Sequence, residues 1–229
     1  MAPKILLLWD IDGTLLAAGG AGMRALASAL QRSFAIQGSI DDIEFAGRTD
    51  RWIMRQIFAK FDLPATEENF SRLADGYVAA LPQELAGRSV HLLPGIPALL
   101  DAAVARGDVA LGLLTGNLRR GAEVKLGSRD LWRYFPFGAF AEDAEDRNEL
   151  GPHALRRARR HHHAEFAATN TWVVGDTPHD IACARACNIR ALAVATGRHS
   201  ADQLQALKPD ALFENFADPN AFWRVIDQD

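Results

Sequence analysis

Two carboxylates, Asp10 and Asp12, stand two positions apart in the segment Asp10-Ile11-Asp12-Gly13-Thr14, which closes the apolar run from Ile5 to Trp9. A run this apolar carries polar groups only at its tip, so the pair is aimed at a site. Two acids so placed can divide the work, one attacking as a nucleophile while its neighbour handles a proton. Three more polar segments follow apolar runs in the same way. Thr115-Gly116-Asn117 follows Val109 to Leu114, Arg147 follows the weaker run Phe137 to Ala141, and Gly175-Asp176-Thr177-Pro178-His179-Asp180 follows Thr171 to Val174.

These runs, with one more from Ile189 to Val194, fit buried parallel strands. Helix-like stretches separate the later ones: Leu118 to Leu126, Leu150 to His161 and Ile181 to Cys187. Strand alternating with helix predicts an α/β protein with a parallel sheet between two layers of helices, and parallel strands would bring all four polar segments to one edge. In such sheets ligands bind outside the carboxyl ends of the strands. From Leu16 to Ser89 the alternation breaks. Met23 to Phe34, Asp50 to Phe61 and Glu67 to Leu81 carry helical apolar spacing with no convincing strand between them, which predicts an all-helical insert. Gly19, Gly20 and Gly22 at its entrance and Gly87 near its exit would let it swing on the core, or merely cap loops.

The chain has 229 residues, enough for a core domain plus a smaller one, and 48% hydrophobic with 24% charged residues is the balance of a globular protein. The N-terminal apolar run is too short for a secretory signal or a membrane span, so a cytoplasmic home is expected and no membrane partner. A net charge of -4 argues against nucleic acid. Cys183 and Cys187, four apart on a predicted helix, read as small buried groups rather than a metal or redox pair. The basic run from Arg156 to His163 follows five acids between Glu142 and Glu149, an order that suits the macrodipole of a solvated helix better than a partner site.

In motif order and strand context the chain resembles the haloacid dehalogenase superfamily, in the phosphatase branch of phosphoglycolate phosphatases. The resemblance rests on Asp10-x-Asp12-Gly13-Thr14, Thr115-Gly116-Asn117 and Gly175-Asp176-x-x-x-Asp180, and it spans nearly the whole chain. It implies a Rossmann-like, three-layer core of residues 1–15 and 90–229 and a helical cap of residues 16–89. It also implies that Asp10 is the nucleophile of an aspartyl-phosphate route. Asp12 is then the acid/base that protonates the departing alkoxide and activates the water, and its presence points to phosphate rather than halide chemistry. Asp10, Asp176 and the Asp12 carbonyl offer hard oxygen ligands, so Mg²⁺ is the expected metal, and Asp180 would support that site from outside it.

Gly13, Thr115, Gly116 and Asn117 suit phosphate binding, although Thr-Gly-Asn alone reads as a helix cap. Where the family places a lysine in the third motif this chain has Arg147, whose guanidinium can fork onto phosphate oxygens. In the insert, Arg48 is the candidate for an anionic leaving group, with a solvated arginine as the alternative. The expected partner is a small phosphorylated metabolite, phosphoglycolate or a sugar phosphate, with the oligomeric state, monomer or homodimer, left open. A phosphomutase, a catalytically silent binding protein and, last, a dehalogenase are the competing readings.

Overall fold

The computed structural model describes residues 3–86 and 90–228. Strand β1 (Ile5–Trp9) is buried at every position, as its five apolar residues require. It lies at the centre of a six-stranded sheet with β4 (Val109–Leu114) on one side and β6 (Thr171–Gly175) on the other. β5 (Gly138–Ala139) lies beyond β4, and β7 (Arg190–Val194) and β8 (Ala211–Phe213) lie beyond β6. All these pairings are parallel. Trp9 is in register with Leu113 on one side and Val174 on the other, so the residues that follow the three central strands emerge together.

Side-chain alternation along β1 divides the interior. Ile5, Leu7 and Trp9 belong to one apolar cluster and Leu6 and Leu8 to another, one on each face of the sheet. The first face is covered by α4 (Ile96–Arg106), α5 (Arg119–Gly127) and α9 (Pro219–Ile226). The second is covered by α6 (Leu150–His162), α7 (Pro178–Ala186) and α8 (Ala201–Gln205). This is the three-layer α/β architecture expected. Each fully buried Leu of β1 contributes about 1.5–3 kcal/mol through removal from water.

The segment after β1 runs through β2 (Leu16–Ala17), which pairs antiparallel with β3 (His91–Leu92) to form a two-stranded neck. Between them lie three helices: α1 (Ala21–Phe34), α2 (Asp50–Lys60) and α3 (Glu67–Ala86). Their inward residues, among them Leu26, Ile53, Phe58, Leu73 and Tyr77, join the apolar cluster of the first face, so the insert packs onto the core. Gly19 and Gly20 take left-handed backbone at the entrance, whereas Gly87 lies outside the described residues. Among the described residues no helix is long and apolar enough to cross a membrane.

The cysteines sit as expected. Cys183 is buried and Cys187 half-buried, and α6 approaches them so closely at Gly151 that a Cβ there would overlap the Cys187 sulfur. The basic end of α6 is largely absorbed locally: Arg157 pairs with Asp143, Arg159 with Glu165, and His161 and His162 pack on Phe137.

Candidate active site

The carboxyl ends of β1, β4 and β6 deliver Asp10, Thr115 and Asp176 to one edge of the sheet. Asp10 and Asp176 are 4% exposed, Asp180 is 2% exposed, and one carboxylate oxygen from each lies within 4.8 Å of the others. Three buried acids this close repel one another. Burial, offset by Arg147 and reinforced by Asp180, pushes the Asp10 carboxyl up to about 6. Burial and the charges of Asp180 and Asp10 likewise raise Asp176. Such a cluster fits a bound cation, and hard carboxylate oxygens beside room for phosphate and water fit Mg²⁺.

Close backbone packing holds the cluster. Gly13 takes φ 85° in the turn after Asp12, where a side chain would run into the Asp176 carboxylate, and Gly197 approaches Asp176 from the loop after β7. The Thr14 hydroxyl donates to Asp176 Oδ1 at 3.1 Å, and the Thr196 hydroxyl donates to the Gly13 carbonyl at 2.6 Å. Asp180 has two tasks. Its Oδ2 accepts from the Thr177 N–H at 3.0 Å and hydroxyl at 2.7 Å, capping α7, while Oδ1 accepts from Arg147. Helix-cap acid and supporting group of the acidic cluster are therefore the same side chain.

Arg147, 5% exposed, faces Asp10, with Nη2 at 3.1 Å from Asp10 Oδ1 and also bonded to Asp180. Its Nη1 donates to the Gly47 carbonyl of the insert at 3.2 Å. Burial opposes its charge, but Asp10 and Asp180 more than offset this, raising its pKa above the ordinary value. The Cys183 thiol donates to the Arg147 carbonyl at 3.2 Å, which pins the backbone.

Beside Asp12 stands a group that the sequence did not single out. Lys125, on α5, donates to Asp12 Oδ2 at 2.5 Å and to Asn117 Oδ1 at 2.6 Å. The Asn117 amide donates in turn to Asp12 Oδ2 and to the Thr115 hydroxyl, both at 2.9 Å. Burial lowers the Lys125 pKa, but Asp12, Tyr77 and Asp50 reverse this, and the ammonium is held charged. The available signal was its place three residues after Ala122 and one before Leu126, on the buried face of the helix. Asp50 and Tyr77 were missed for a similar reason. The first reads as a first-turn acid after the Thr49 cap, and the second as one of an apolar row with Leu73 and Leu81.

The insert closes over this edge and leaves a cleft of about 220 Å³, lined by Asp10, Asp12, Lys125, Arg147 and Asp176 from the core and by Met23, Phe45, Arg48, Ile53 and Tyr77 from the insert. Contact is close where the two meet. Gly116 lies so near the Arg48 carbonyl that a Cβ would overlap it, and the Asp50 N–H donates to the Gly116 carbonyl at 2.6 Å. Arg48 lines the cleft, but it is ion-paired to Glu44 at 2.6 Å and lies 4.4 Å over the Trp52 ring. Arg198, which the sequence reading passed over, lines the same cleft from the loop after β7.

A family model for haloacid dehalogenase-like hydrolases matches residues 7–185. The chain belongs to that family. The chain is 26% identical over 220 residues to the "Probable phosphatase IndB" of Dickeya dadantii (strain 3937), covering 94% of this chain and 91% of that one. Among solved structures, a hydrolase from Pseudomonas syringae superposes with a TM-score of 0.71 at 18% identity, covering 98% of this chain and 100% of that one. A predicted phosphoglycolate phosphatase from Haemophilus somnus 129pt does so with a TM-score of 0.70 at 18% identity, covering 97% and 99%. At such identities the superpositions bear on the fold, and the hydrolase assignment rests on the family model.

Proposed function

We propose that this hydrolase is a Mg²⁺-dependent phosphatase of small phosphorylated metabolites, working through an aspartyl-phosphate on Asp10. The observation that carries the reading is the buried set of Asp10, Asp176 and Asp180, opposed by the guanidinium of Arg147, with Asp12 lining the same cleft between core and insert. Asp10, Asp176 and the Asp12 carbonyl would hold the metal, and Asp180 would support it. The metal would supply neutralisation of the phosphoryl oxygens, whose charge otherwise repels an attacking carboxylate.

Asp10 attacks phosphorus, the ester P–O bond breaks, and Asp12 gives its proton to the departing alkoxide. Water then attacks the acyl phosphate, Asp12 takes the proton back, and Asp10 is regenerated as phosphate leaves. Arg147 holds the nucleophile in place, and its buried Nε has no acceptor among the described residues, so a donor is unspent beside Asp10. Thr115, Gly116 and Asn117 form the turn that leads into α5, where the Thr115 hydroxyl and the Gly116 N–H would meet the phosphoryl oxygens. The insert acts as a cap. It excludes water and meets the leaving group with Met23, Phe45 and Ile53, with Arg48 and Arg198 as the cations within reach.

The test is phosphate release from 2-phosphoglycolate, ribose 5-phosphate, glucose 6-phosphate, phenyl phosphate and p-nitrophenyl phosphate with Mg²⁺. Turnover of at least one, abolished by chelation and by Asp10→Asn, is expected. Wild type and Asp10→Asn behaving alike on every ester would overturn the reading.

A further inference from the structure

Lys125 is the buried cation for which the aspartyl-phosphate scheme has no use. A lysine buried in this wall, 4% exposed, costs several kcal/mol in desolvation unless its charge is met. It is met from two sides. On the core side its Nζ binds Asp12 Oδ2 and Asn117 Oδ1. On the cap side two buried groups face the ammonium, the Tyr77 hydroxyl from α3 and, beyond ion-pair distance, the Asp50 carboxylate from α2. Gly22 of α1 and Gly121 of α5 leave room for this approach. A Cβ on Gly22 would touch both the Lys125 ammonium, at 3.6 Å, and the Tyr77 hydroxyl, at 3.8 Å, and one on Gly121 would lie 3.0 Å from the Tyr77 ring.

Neutralising Asp50 would be a purely structural task, but the bonds point elsewhere. The Asp50 carboxylate receives the Leu118 N–H at 2.7 Å, while the short bonds of Lys125 go to the acid/base and to the amide beside it. By engaging Asn117 Oδ1, Lys125 also turns the Nδ2 of that amide toward Asp12. Asp12 Oδ2 thus accepts two donors, and Oδ1, with no bond among the described residues, is the oxygen left for the leaving group.

We propose that Lys125 is a positioning residue for Asp12, approached from the cap by Tyr77, so that the acid/base is set for proton transfer to the leaving oxygen when the cap is closed. The proposal rests on the phosphatase reading and assigns to the closed cap a task beyond excluding water. It concerns where the Asp12 carboxylate sits.

The test compares kcat/KM for phenyl phosphate and p-nitrophenyl phosphate, two esters of nearly the same shape whose leaving oxygens differ in how much they need a proton. In Lys125→Met the ratio of phenyl to p-nitrophenyl phosphate is expected to fall at least fivefold, because a misplaced Asp12 harms the poorer leaving group more. A smaller fall, with both esters losing activity together, overturns the proposal, since a merely structural lesion moves both alike. Should circular dichroism show Lys125→Met unfolded, Tyr77→Phe decides: it keeps the ring, and a threefold or larger fall in the same ratio is expected, a smaller one overturning the proposal. Wild type that hydrolyses neither these esters nor the others refutes the phosphatase reading itself, and is told apart by that control.

Discussion

Arg147 is where this chain departs from the lysine expected by resemblance, and its bonds show what a guanidinium adds. One nitrogen binds both Asp10 and Asp180, while the other reaches the Gly47 carbonyl of the cap. An ammonium on a flexible stem lacks that fixed fork. Arg147→Ala is expected to lower kcat/KM for the best ester by about 10²–10³, the scale on which loss of one preorganised donor acts. Steady-state kinetics check this, and near-normal activity would remove Arg147 from the site. Arg48, the cation read from sequence for the leaving group, is in the cleft wall but already paired with Glu44. A substrate anion would have to compete with that carboxylate.

At the scale of elements, the meeting of cap and core is decided by backbone. Gly116 accepts the Asp50 N–H and lies against the Arg48 carbonyl with no room for a side chain. Thr49 and Arg55 add contacts from the cap to Glu145, the threonine hydroxyl donating to its carbonyl at 2.6 Å and the guanidinium meeting its carboxylate at 2.6 Å. Gly116→Ala is expected to hold the cap away from the core and cut kcat/KM by about tenfold or more, since a small misplacement of reacting groups costs up to about 10². The core itself should remain folded. Small-angle scattering, together with the kinetics, checks this: an unchanged scattering profile with full activity would show that closure tolerates the methyl group.

At the scale of the whole molecule, the buried charges at the cap–core boundary link stability to pH. Burial, partly offset by Lys125 and the Leu118 N–H, pushes the Asp50 carboxyl from 3.8 up to about 6. The folded state therefore binds this proton more tightly than the unfolded chain does. The stability so contributed is complete below about pH 4 and is lost as pH rises through about 6. The shift corresponds to about 3 kcal/mol. Urea unfolding of wild type and Asp50→Asn is expected to show the wild type losing on the order of 2–3 kcal/mol more than the variant between pH 4 and pH 8. Parallel pH profiles for the two proteins would contradict it.

How much was legible depends on how locally each feature is encoded. β1 and β4 could be read to the residue, since a strand buried on both faces is an uninterrupted apolar run. The helices of the insert were visible in their spacing, with α3 continuing through Pro82 to Ala86, beyond the predicted Leu81. The two-residue neck strands and the three-residue β8 were not legible, because so short a segment has no period to detect. The acids at the strand tips were legible because parallel topology carries strand ends to one edge. Asp50, Tyr77 and Lys125 were not. Each follows an ordinary local rule of capping or apolar spacing, and their shared location arises only when the cap folds back across the sheet. By itself the sequence determined the α/β core and the acidic pair of Asp10 and Asp12. The resemblance set Arg147 against Asp10, but only the tertiary structure decided that Lys125 stands at Asp12, because pairing between charges distant in the chain is fixed by packing and not by spacing.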